Sequence, residues 1–268
     1  MSDDAVLYDV QDHIATLTLN RPEKLNAFDD DLLGQWVERL QEAHLDDGVR
    51  VIVVTGAGRG FCSGANVARE GRGSGVLGDP NAPAANRNSL RNSVQPVPRI
   101  LQNIEKPYIA AVNGAAVGAG MDMASMADIR IASDRAKFGM AYVRMGLVPG
   151  DGGAYWLPRI VGMATALELM WTGRLFMADE ALAMGYVSKV VPHDDLIPET
   201  MEYAGRIAKM PAVSVQLIKR LAYRSAVTGP HEALEMAEHA MVIARSTEDA
   251  KEGPRAFMEK REPNFQGR

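Results

Sequence analysis

Cysteine is nearly absent from the sequence: Cys62 is the single one in 268 residues. An intramolecular disulfide needs two cysteines, so a disulfide framework is excluded and nothing indicates an oxidising compartment. Cys62 is expected to pack as a small buried residue. Histidine is also scarce and lacks the paired spacings of metal sites, so we expect no metal. The histidines are His13, His44, His193, His231 and His239.

Positive charge and long apolar runs are lacking as well. Lys and Arg number 29 against 34 Asp and Glu, and this net charge of -5 does not suit a nucleic-acid partner. The acidic start MSDDAVLYDV has no apolar signal core, and no run is long enough to span a bilayer. We therefore expect no membrane partner and a cytoplasmic location. The hydrophobic share of 47% is ordinary for a globular enzyme.

Several well-known catalytic and nucleotide-binding motifs are missing. The GAG at 56–58 follows a strand pattern, but a dinucleotide fingerprint needs a third glycine where Phe61 stands. The GAG at 118–120 fails likewise, because Met123 occupies the third position. The phosphate-binding loop and the serine nucleophile elbow are also absent. A dinucleotide oxidoreductase and a Ser-His-Asp hydrolase therefore have little support.

Strand and helix patterns alternate over the first three quarters of the chain. AVLYDVQDHIATLTLN predicts a β-hairpin, and FDDDLLGQWVERLQEAHLDD predicts an amphipathic helix. VRVIVVTGAG predicts a strand buried on both faces, central in a sheet. EKPYIAAVNG, DIRIAS and GYVSKVV predict further strands, so the fold class is α/β. Between Glu70 and Gln95 the polar composition predicts a mobile excursion that buries little surface.

Amphipathic helices dominate after Asp195. They are predicted at about 196–209, 213–227, 231–245 and 247–260. Their apolar faces must pack on the core or on another subunit. We divide the chain into a core over residues 1–195 and a helical C-terminal region over residues 196–268.

Two turns rich in small residues, GFCSGANV and NGAAVGAGMDM, could each expose backbone amides. A helix predicted from about Ala119 has unpaired amides in its first turn. Two such amides from different turns could hold a developing oxyanion. The alternative is that the turns merely pack closely on a sheet.

The chain resembles the crotonase, or enoyl-CoA hydratase/isomerase, superfamily. The resemblance runs through NRPEKLNAF, VTGAGRGFCSGANV, KPYIAAVNGAAVGAGMDMASMADIRIAS, KFGMAYVRMGLVPGDGGAYWLPRIVG, ALAMGYVSKVV and EGPRAFMEKREPNF. It implies a spiral of ββα units, a helical C-terminal region that forms a homotrimer or a dimer of trimers, and an acyl-CoA substrate without a separate cofactor. It also implies an oxyanion hole made by the backbone amides of Ala65 and Ala119.

Residues near the coenzyme A are implied by the same resemblance: Lys24, Ala27, Ser63, Ala65, Asn66 and Val67. Phe257 and Lys260 match positions in the C-terminal tail that reach the coenzyme A of a neighbouring subunit. The alternative for these two is an ordinary surface helix, since residues at i and i+3 share one face.

The acid groups depart from the usual pattern of two glutamates. Asp122 stands at the position of the first and Tyr142 at that of the second. Asp151 is a candidate replacement, one residue after Gly150, where some relatives carry an aspartate. Asp122 could instead be a first-turn acid favoured by the helix dipole, and Asp151 an N-cap for a helix at about 152–160. Tyr142 could donate a hydrogen bond to substrate or form an aromatic wall of the acyl pocket.

The expected function is hydration of a 2-enoyl-CoA through an enolate, with Asp122 as the main acid/base group. A double-bond isomerase and a CoA-ester or β-diketone hydrolase are the enzymatic alternatives. A non-catalytic acyl-CoA-binding protein is the alternative of another class.

Overall fold

The computed structural model describes residues 4–65 and 89–268. Within these residues the strands form two sheets, with orders β1-β2-β3-β5-β7-β10 and β4-β6-β8-β9. The strands are β1 Val6–Gln11, β2 Ile14–Leu19, β3 Val51–Gly56, β4 Gly60–Cys62, β5 Tyr108–Val112, β6 Ala115–Val117, β7 Ile129–Ser133, β8 Lys137–Gly139, β9 Phe176–Met177 and β10 Lys189–Val191.

The predicted hairpin and the predicted central strand are both present. β1 and β2 pair antiparallel across Asp12 and His13, which both have positive φ, 49° and 66°, as a tight two-residue hairpin turn requires. β3 is buried at every position and lies parallel between β2 and β5. β4 follows β3 directly, so the GAG at 56–58 opens a turn between two strands and not a nucleotide-binding helix.

Successive strands alternate between the two sheets. β3, β5 and β7 lie in the large sheet, and the strand that follows each of them, β4, β6 or β8, lies in the small sheet. The helix Ala119–Ser125 follows the second pair directly. A short 3-10 helix and then the helix Gly153–Val161 follow the third pair. This is the expected spiral of ββα units, and it confirms the α/β fold class.

The helices for which positions were predicted, namely the first helix, those at about Ala119 and 152–160 and the four after Asp195, lie close to those positions. Asp29 caps the first one, its side chain accepting a hydrogen bond from the Leu32 amide at 3.2 Å. The first helix is α1 Asp30–Leu45. The helices between residues 89 and 183 are α2 Ser89–Asn92, α3 Pro96–Leu101, α4 Ala119–Ser125, α5 Gly153–Val161, α6 Met163–Thr172 and α7 Ala178–Ala183. The C-terminal helices are α8 Leu196–Ala208, α9 Ala212–Ser225, α10 Pro230–Arg245 and α11 Asp249–Glu259.

The C-terminal helices differ in what they cover. α8 packs on the large sheet, where Leu196, Ala204 and Ala208 join a cluster of β-strand residues. α10 and α11 instead carry exposed apolar side chains, among them Val242, 69% exposed, and Phe257, 86% exposed. The division of the chain at residue 195 coincides with the start of α8 and otherwise stays a prediction.

The excursion between Glu70 and Gln95 is described only from residue 89 onward. Asn66, Val67 and the stretch 70–88 lie outside the described residues. In its described end, residues 89–95, Val94 is the one fully buried residue and packs in the core. The Gln95 amide group also donates to the Gly150 carbonyl oxygen at 3.0 Å, which fixes this end beside the turn that leads to Asp151.

Candidate active site

The turn around Lys24 lies against the turn around Ser63. The Ser63 amide donates to the Leu25 carbonyl oxygen at 3.0 Å, and the Ser63 hydroxyl donates to that of Lys24 at 3.3 Å. The Ala27 amide also donates to the Lys24 carbonyl oxygen, at 3.1 Å. Three of the residues implied for coenzyme A binding, Lys24, Ala27 and Ser63, therefore lie together.

Two buried asparagines hold the chain before Ala65, and sequence reasoning missed both. The Asn26 amide group donates to the carbonyl oxygens of Ala57 and Gly60, at 3.0 and 2.7 Å. The Asn113 amide group donates to the Gly58 carbonyl oxygen at 2.9 Å and to the Gly60 carbonyl oxygen at 3.2 Å. Of the three acceptors, Gly60 is buried, so its carbonyl oxygen depends on these bonds for a partner. The only signal was an asparagine inside each of the motifs NRPEKLNAF and AAVNG.

The two small-residue turns contact each other. A β-carbon on Gly64 would lie 2.9 Å from the Val117 carbonyl oxygen and 3.3 Å from the Ala119 amide nitrogen. A β-carbon on Gly120 would lie 1.9 Å from the Cys62 carbonyl oxygen. Only glycine permits backbones to approach this closely. Ala65 and Ala119 are therefore brought to one place by contact between their neighbours.

The amides of Ala65 and Ala119 are not used by the bridge and the helix in which these residues lie. Phe28 and Ala65 form a parallel bridge in which the Phe28 amide donates to the Gly64 carbonyl oxygen at 2.9 Å, so this ladder does not use the Ala65 amide. Ala119 is the first residue of α4, where an amide has no acceptor within the helix. This arrangement suits a pair of amides that bind one oxygen.

Asp122 and Asp151 meet at the hydroxyl of Tyr142. Asp122 lies on α4 and is fully buried, while Asp151 lies before α5 and is 3% exposed. The Tyr142 hydroxyl oxygen is 2.7 Å from Asp122 Oδ2 and 3.0 Å from Asp151 Oδ2. Two carboxyls and a phenol thus form one hydrogen-bonded group inside the protein.

The alternative interpretation of Asp151, as a helix cap, was wrong. α5 begins at Gly153, its N-cap is Gly152 with a φ of 113°, and no side chain caps it. A carboxylate at the N-cap would accept a bond from the first turn of the helix. Asp151 Oδ2 is directed instead to Tyr142.

Burial changes the protonation of all three groups. Removal from water raises the pKa of Asp122 to about 8, and the Tyr142 hydrogen bond opposes this rise. Burial raises the pKa of Asp151 to about 6, again against the Tyr142 hydrogen bond. Burial and the two neighbouring carboxyls raise the pKa of Tyr142 well above its usual range, so the phenol stays protonated. At neutral pH the pair therefore favours one protonated and one ionised carboxyl.

A cavity of about 680 Å³ opens beside Asp151. Asp151 and Gly152 form part of its wall, and Trp156 and Tyr223 form an aromatic part with their rings at 88° to each other. The Lys219 ammonium, also in the wall, pairs with Asp128 at 2.8 Å. Asp151 is therefore the acid of the pair that borders open space.

Other predicted residues have simpler surroundings. Cys62 is buried, and burial raises the pKa of its thiol to about 12, so it packs as an inert side chain. Phe257 and Lys260 lie at the end of α11, and in the described part of the chain no hydrogen bond or ion pair joins them to the acid groups. Their expected place near a neighbour's coenzyme A stays a prediction.

Two absences hold for residues 4–65 and 89–268. No group of three or more His, Cys, Asp and Glu side chains could hold a metal ion there. No helix in these ranges is both long enough and apolar enough to cross a bilayer.

The whole chain matches known proteins. A family model described as enoyl-CoA hydratase/isomerase matches residues 9–268. The chain belongs to this family. It is 36% identical to a crotonyl-CoA hydratase of Syntrophomonas wolfei, over 99% of each chain. It is 37% identical to a 1,2-epoxyphenylacetyl-CoA isomerase of Escherichia coli, over 98% of each chain.

Solved structures of the family share the fold. The crystal structure of an enoyl-CoA hydratase from Bacillus anthracis superposes with a TM-score of 0.91 at 30% identity, covering 98% of this chain and 100% of that one. The function is therefore of the enoyl-CoA hydratase/isomerase type. Because a hydratase and an isomerase are equally similar to the chain, membership alone does not select the reaction.

Proposed function

We propose that this protein hydrates a 2-enoyl-CoA. The observation that carries the proposal is the pair Asp122 and Asp151, buried together with pKa values raised to about 8 and about 6. Water addition needs one group that gives a proton and one that takes a proton. A pair that is half protonated at neutral pH supplies both.

The proposed reaction divides the work among four residues. The amides of Ala65 and Ala119 bind the thioester oxygen and stabilise the enolate. The Asp151 carboxylate takes a proton from water as the water oxygen adds to the β carbon. Asp122, the main acid/base group, gives its proton to the α carbon. It lies three residues, about one helical turn, after Ala119.

Double-bond isomerisation is the second candidate, and the position of Tyr142 favours it. Its hydroxyl lies between the two carboxyl oxygens, at 2.7 and 3.0 Å. A water held between two acids would need that space. An isomerase needs no water, because Asp122 alone can remove a proton from one carbon and return it to another.

The binding side of the proposal follows the family resemblance. Lys24, Ala27, Ser63, Asn66 and Val67 contact the coenzyme A, and Phe257 and Lys260 reach it from a neighbouring subunit. This arrangement requires a homotrimer or a dimer of trimers. The reaction needs no cofactor besides the coenzyme A of the substrate, and we place the protein in the cytoplasm.

Product analysis tests the reaction type. The pure protein is incubated with enoyl-CoA, dienoyl-CoA and cyclic acyl-CoA thioesters, and products are identified by mass spectrometry. A gain of one water supports hydration, and a shifted double bond at unchanged mass supports isomerisation. Free coenzyme A would indicate hydrolysis, and binding without turnover would indicate the non-catalytic alternative.

Two variants test the residues. Asp122→Asn keeps the shape of the side chain and removes the acid, so turnover is expected to fall roughly 100-fold or more, with CoA-ester affinity within a few fold. The turnover of Asp151→Asn is expected to fall by a similar factor if the protein is a hydratase, and much less if it is an isomerase that uses Asp122 alone. Asp179→Asn, at an exposed position in the first turn of α7, is the control. Normal turnover in Asp122→Asn would refute the mechanism.

A further inference from the structure

The Tyr142 hydroxyl connects two carboxyls but carries only one hydrogen. Its oxygen lies within hydrogen-bond distance of Asp122 Oδ2 and of Asp151 Oδ2, at 2.7 and 3.0 Å. The hydroxyl can donate to one of them. The other contact is a hydrogen bond only if that carboxyl is protonated and donates to the phenol oxygen. The favourable form of the group therefore holds two protons on three side chains.

The two carboxyls differ in their access to solvent. Asp122 is fully buried, and within the described residues its Oδ1 has no hydrogen-bond partner. Asp151 borders the cavity of about 680 Å³ beside α5. Asp151 Oδ1 is likewise buried and has no hydrogen-bond partner among the described residues. Because Asp151 lines the cavity and Asp122 does not, the shorter path from the pair to water starts at Asp151.

We propose that Tyr142 relays protons between Asp122 and Asp151, and that Asp151 exchanges them with water in the adjoining cavity. The O–H bond of Asp122 breaks as its proton passes to the phenol oxygen, and the phenol proton passes to the Asp151 carboxylate. Asp122 is left ionised, Tyr142 is unchanged and Asp151 is protonated. The reverse transfer reloads Asp122, and no oxidant or co-reactant is needed.

The relay restores the acid groups after each turnover and rests on the proposed function of the two carboxyls. In hydration Asp122 ends without its proton and Asp151 with an extra one, so a single transfer through Tyr142 resets the pair. Tyr142 acts through the carboxyls and is a positioning residue. Its removal should slow proton exchange at Asp122 while substrate binding is kept.

Proton exchange on a saturated acyl-CoA tests the relay without hydration or isomerisation. The enzyme is mixed with a short saturated acyl-CoA in D2O, and deuterium at the α carbon is followed by mass spectrometry. Tyr142→Phe keeps the ring and removes the hydroxyl, and exchange is expected to fall roughly tenfold or more, with acyl-CoA affinity within a few fold. Tyr203→Phe on α8, packed against the opposite side of the large sheet, is the control.

Rescue separates a relay from a merely structural role. Small buffer acids that enter the cavity should restore exchange in Tyr142→Phe in proportion to their concentration, and they should leave the wild type unchanged. The folding of the variant is checked by thermal unfolding. Wild-type exchange in Tyr142→Phe, or a loss that buffer does not restore in a folded variant, would overturn the relay.

The outcomes also distinguish the relay from the proposed function. Exchange that depends on Tyr142, in a protein that neither hydrates nor isomerises the thioester panel, would support the relay and reject the function. Turnover of a thioester, together with exchange that does not depend on Tyr142, would support the proposed function and reject the relay. If the wild type neither exchanges nor turns over any thioester, both are rejected. A further check needs no variant. The exchange rate of the wild type is measured in H2O–D2O mixtures, and its dependence on the deuterium fraction should be curved, as expected when two protons move together.

Discussion

Gly153 lies directly against the carboxyl of Asp122. A β-carbon on Gly153 would be 1.9 Å from Asp122 Oδ1 and 2.4 Å from the terminal methyl carbon of Met140. These separations are far below van der Waals contact, so any side chain at 153 must displace the acid. Gly153, the first residue of α5, therefore limits the position of the Asp122 carboxyl on α4.

Gly153→Ala is predicted to lose activity and stability together. The added methyl must move the buried Asp122, and overpacking of this kind typically costs about 1–3 kcal/mol. Turnover and the free energy of unfolding by urea measure the two effects.

Gly34→Ala is the matched control. Gly34 lies on the exposed face of α1, and a β-carbon there would meet no atom of the described residues within 4 Å. The change should stabilise the protein by about 0.5–1 kcal/mol, because alanine is the better helix former. Equal effects at positions 153 and 34 would contradict the contact with Asp122.

The stability of the protein is predicted to fall as pH rises through neutrality. Burial raises the pKa of Asp122 from 3.8 to about 8, so between these values the folded protein binds a proton that the unfolded chain does not. Stability linked to this group is full below about pH 4 and is lost as pH rises to about 8, with a slope of up to about 1.4 kcal/mol per pH unit. Thermal unfolding midpoints at several pH values measure it.

Asp122→Asn should remove this part of the slope, because the amide stays neutral. Its stability relative to the wild type should therefore increase from acidic to alkaline pH. Tyr142 and Asp151 face the same carboxyl, and Asp151, with a pKa raised to about 6, should contribute a smaller slope at lower pH. Parallel stability curves for wild type and variant would show that Asp122 is ionised throughout.

Lys24→Ala is predicted to weaken coenzyme A binding without affecting the reaction itself. Lys24 is exposed at the end of a short 3-10 helix, where its ammonium can attract a phosphate of coenzyme A. KM should rise and kcat should stay within about twofold, since the lost contact is the same in the ground and transition states. Lys209→Ala, at the exposed end of α8, is the control. A large fall in kcat at unchanged affinity would contradict this role.

The protein is predicted to form trimers or hexamers in solution. Trp171, Val242 and Phe257 are 71%, 69% and 86% exposed, and apolar side chains of this size tend to be covered in an assembly. Light scattering at micromolar concentration should give three or six times the mass of 29.0 kDa. A monomer would reject both the assembly and a contribution of Phe257 to a neighbouring site.

Periodicity predicted most of the large sheet and the helices. β3 consists almost entirely of β-branched residues and is buried throughout, and α1 lies within the segment whose apolar spacing predicts an amphipathic helix. β4, β6, β8 and β9 were missed because strands of two or three residues are too short to show a period. They form the small sheet that carries the chain into α4.

The acid group could be predicted only in part. The small residues of the two turns and the lone Asp122 pointed to the site, because a buried carboxylate is costly without a purpose. The role of Tyr142 depends on a contact across 20 residues to Asp122, which no local pattern contains. Helix-start chemistry also suggested a cap at Asp151, but Gly152 occupies that position.

Tyr142 and Asp151 both belong to the connection between β8 and α5. Ala65 instead follows β4 and bridges Phe28, and Ala119 begins α4 after β6. The connection is joined to the core at Gly139 and Gly153, and residues 143–148 within it are exposed. Tyr142 and Asp151 can therefore change by substitution within one segment, while α4 with Asp122 and the backbone amides keep their positions. Such a division lets the reaction type change within one fold. A crotonyl-CoA hydratase and a 1,2-epoxyphenylacetyl-CoA isomerase, at 36% and 37% identity to this chain, are two relatives named for different reactions on different CoA thioesters.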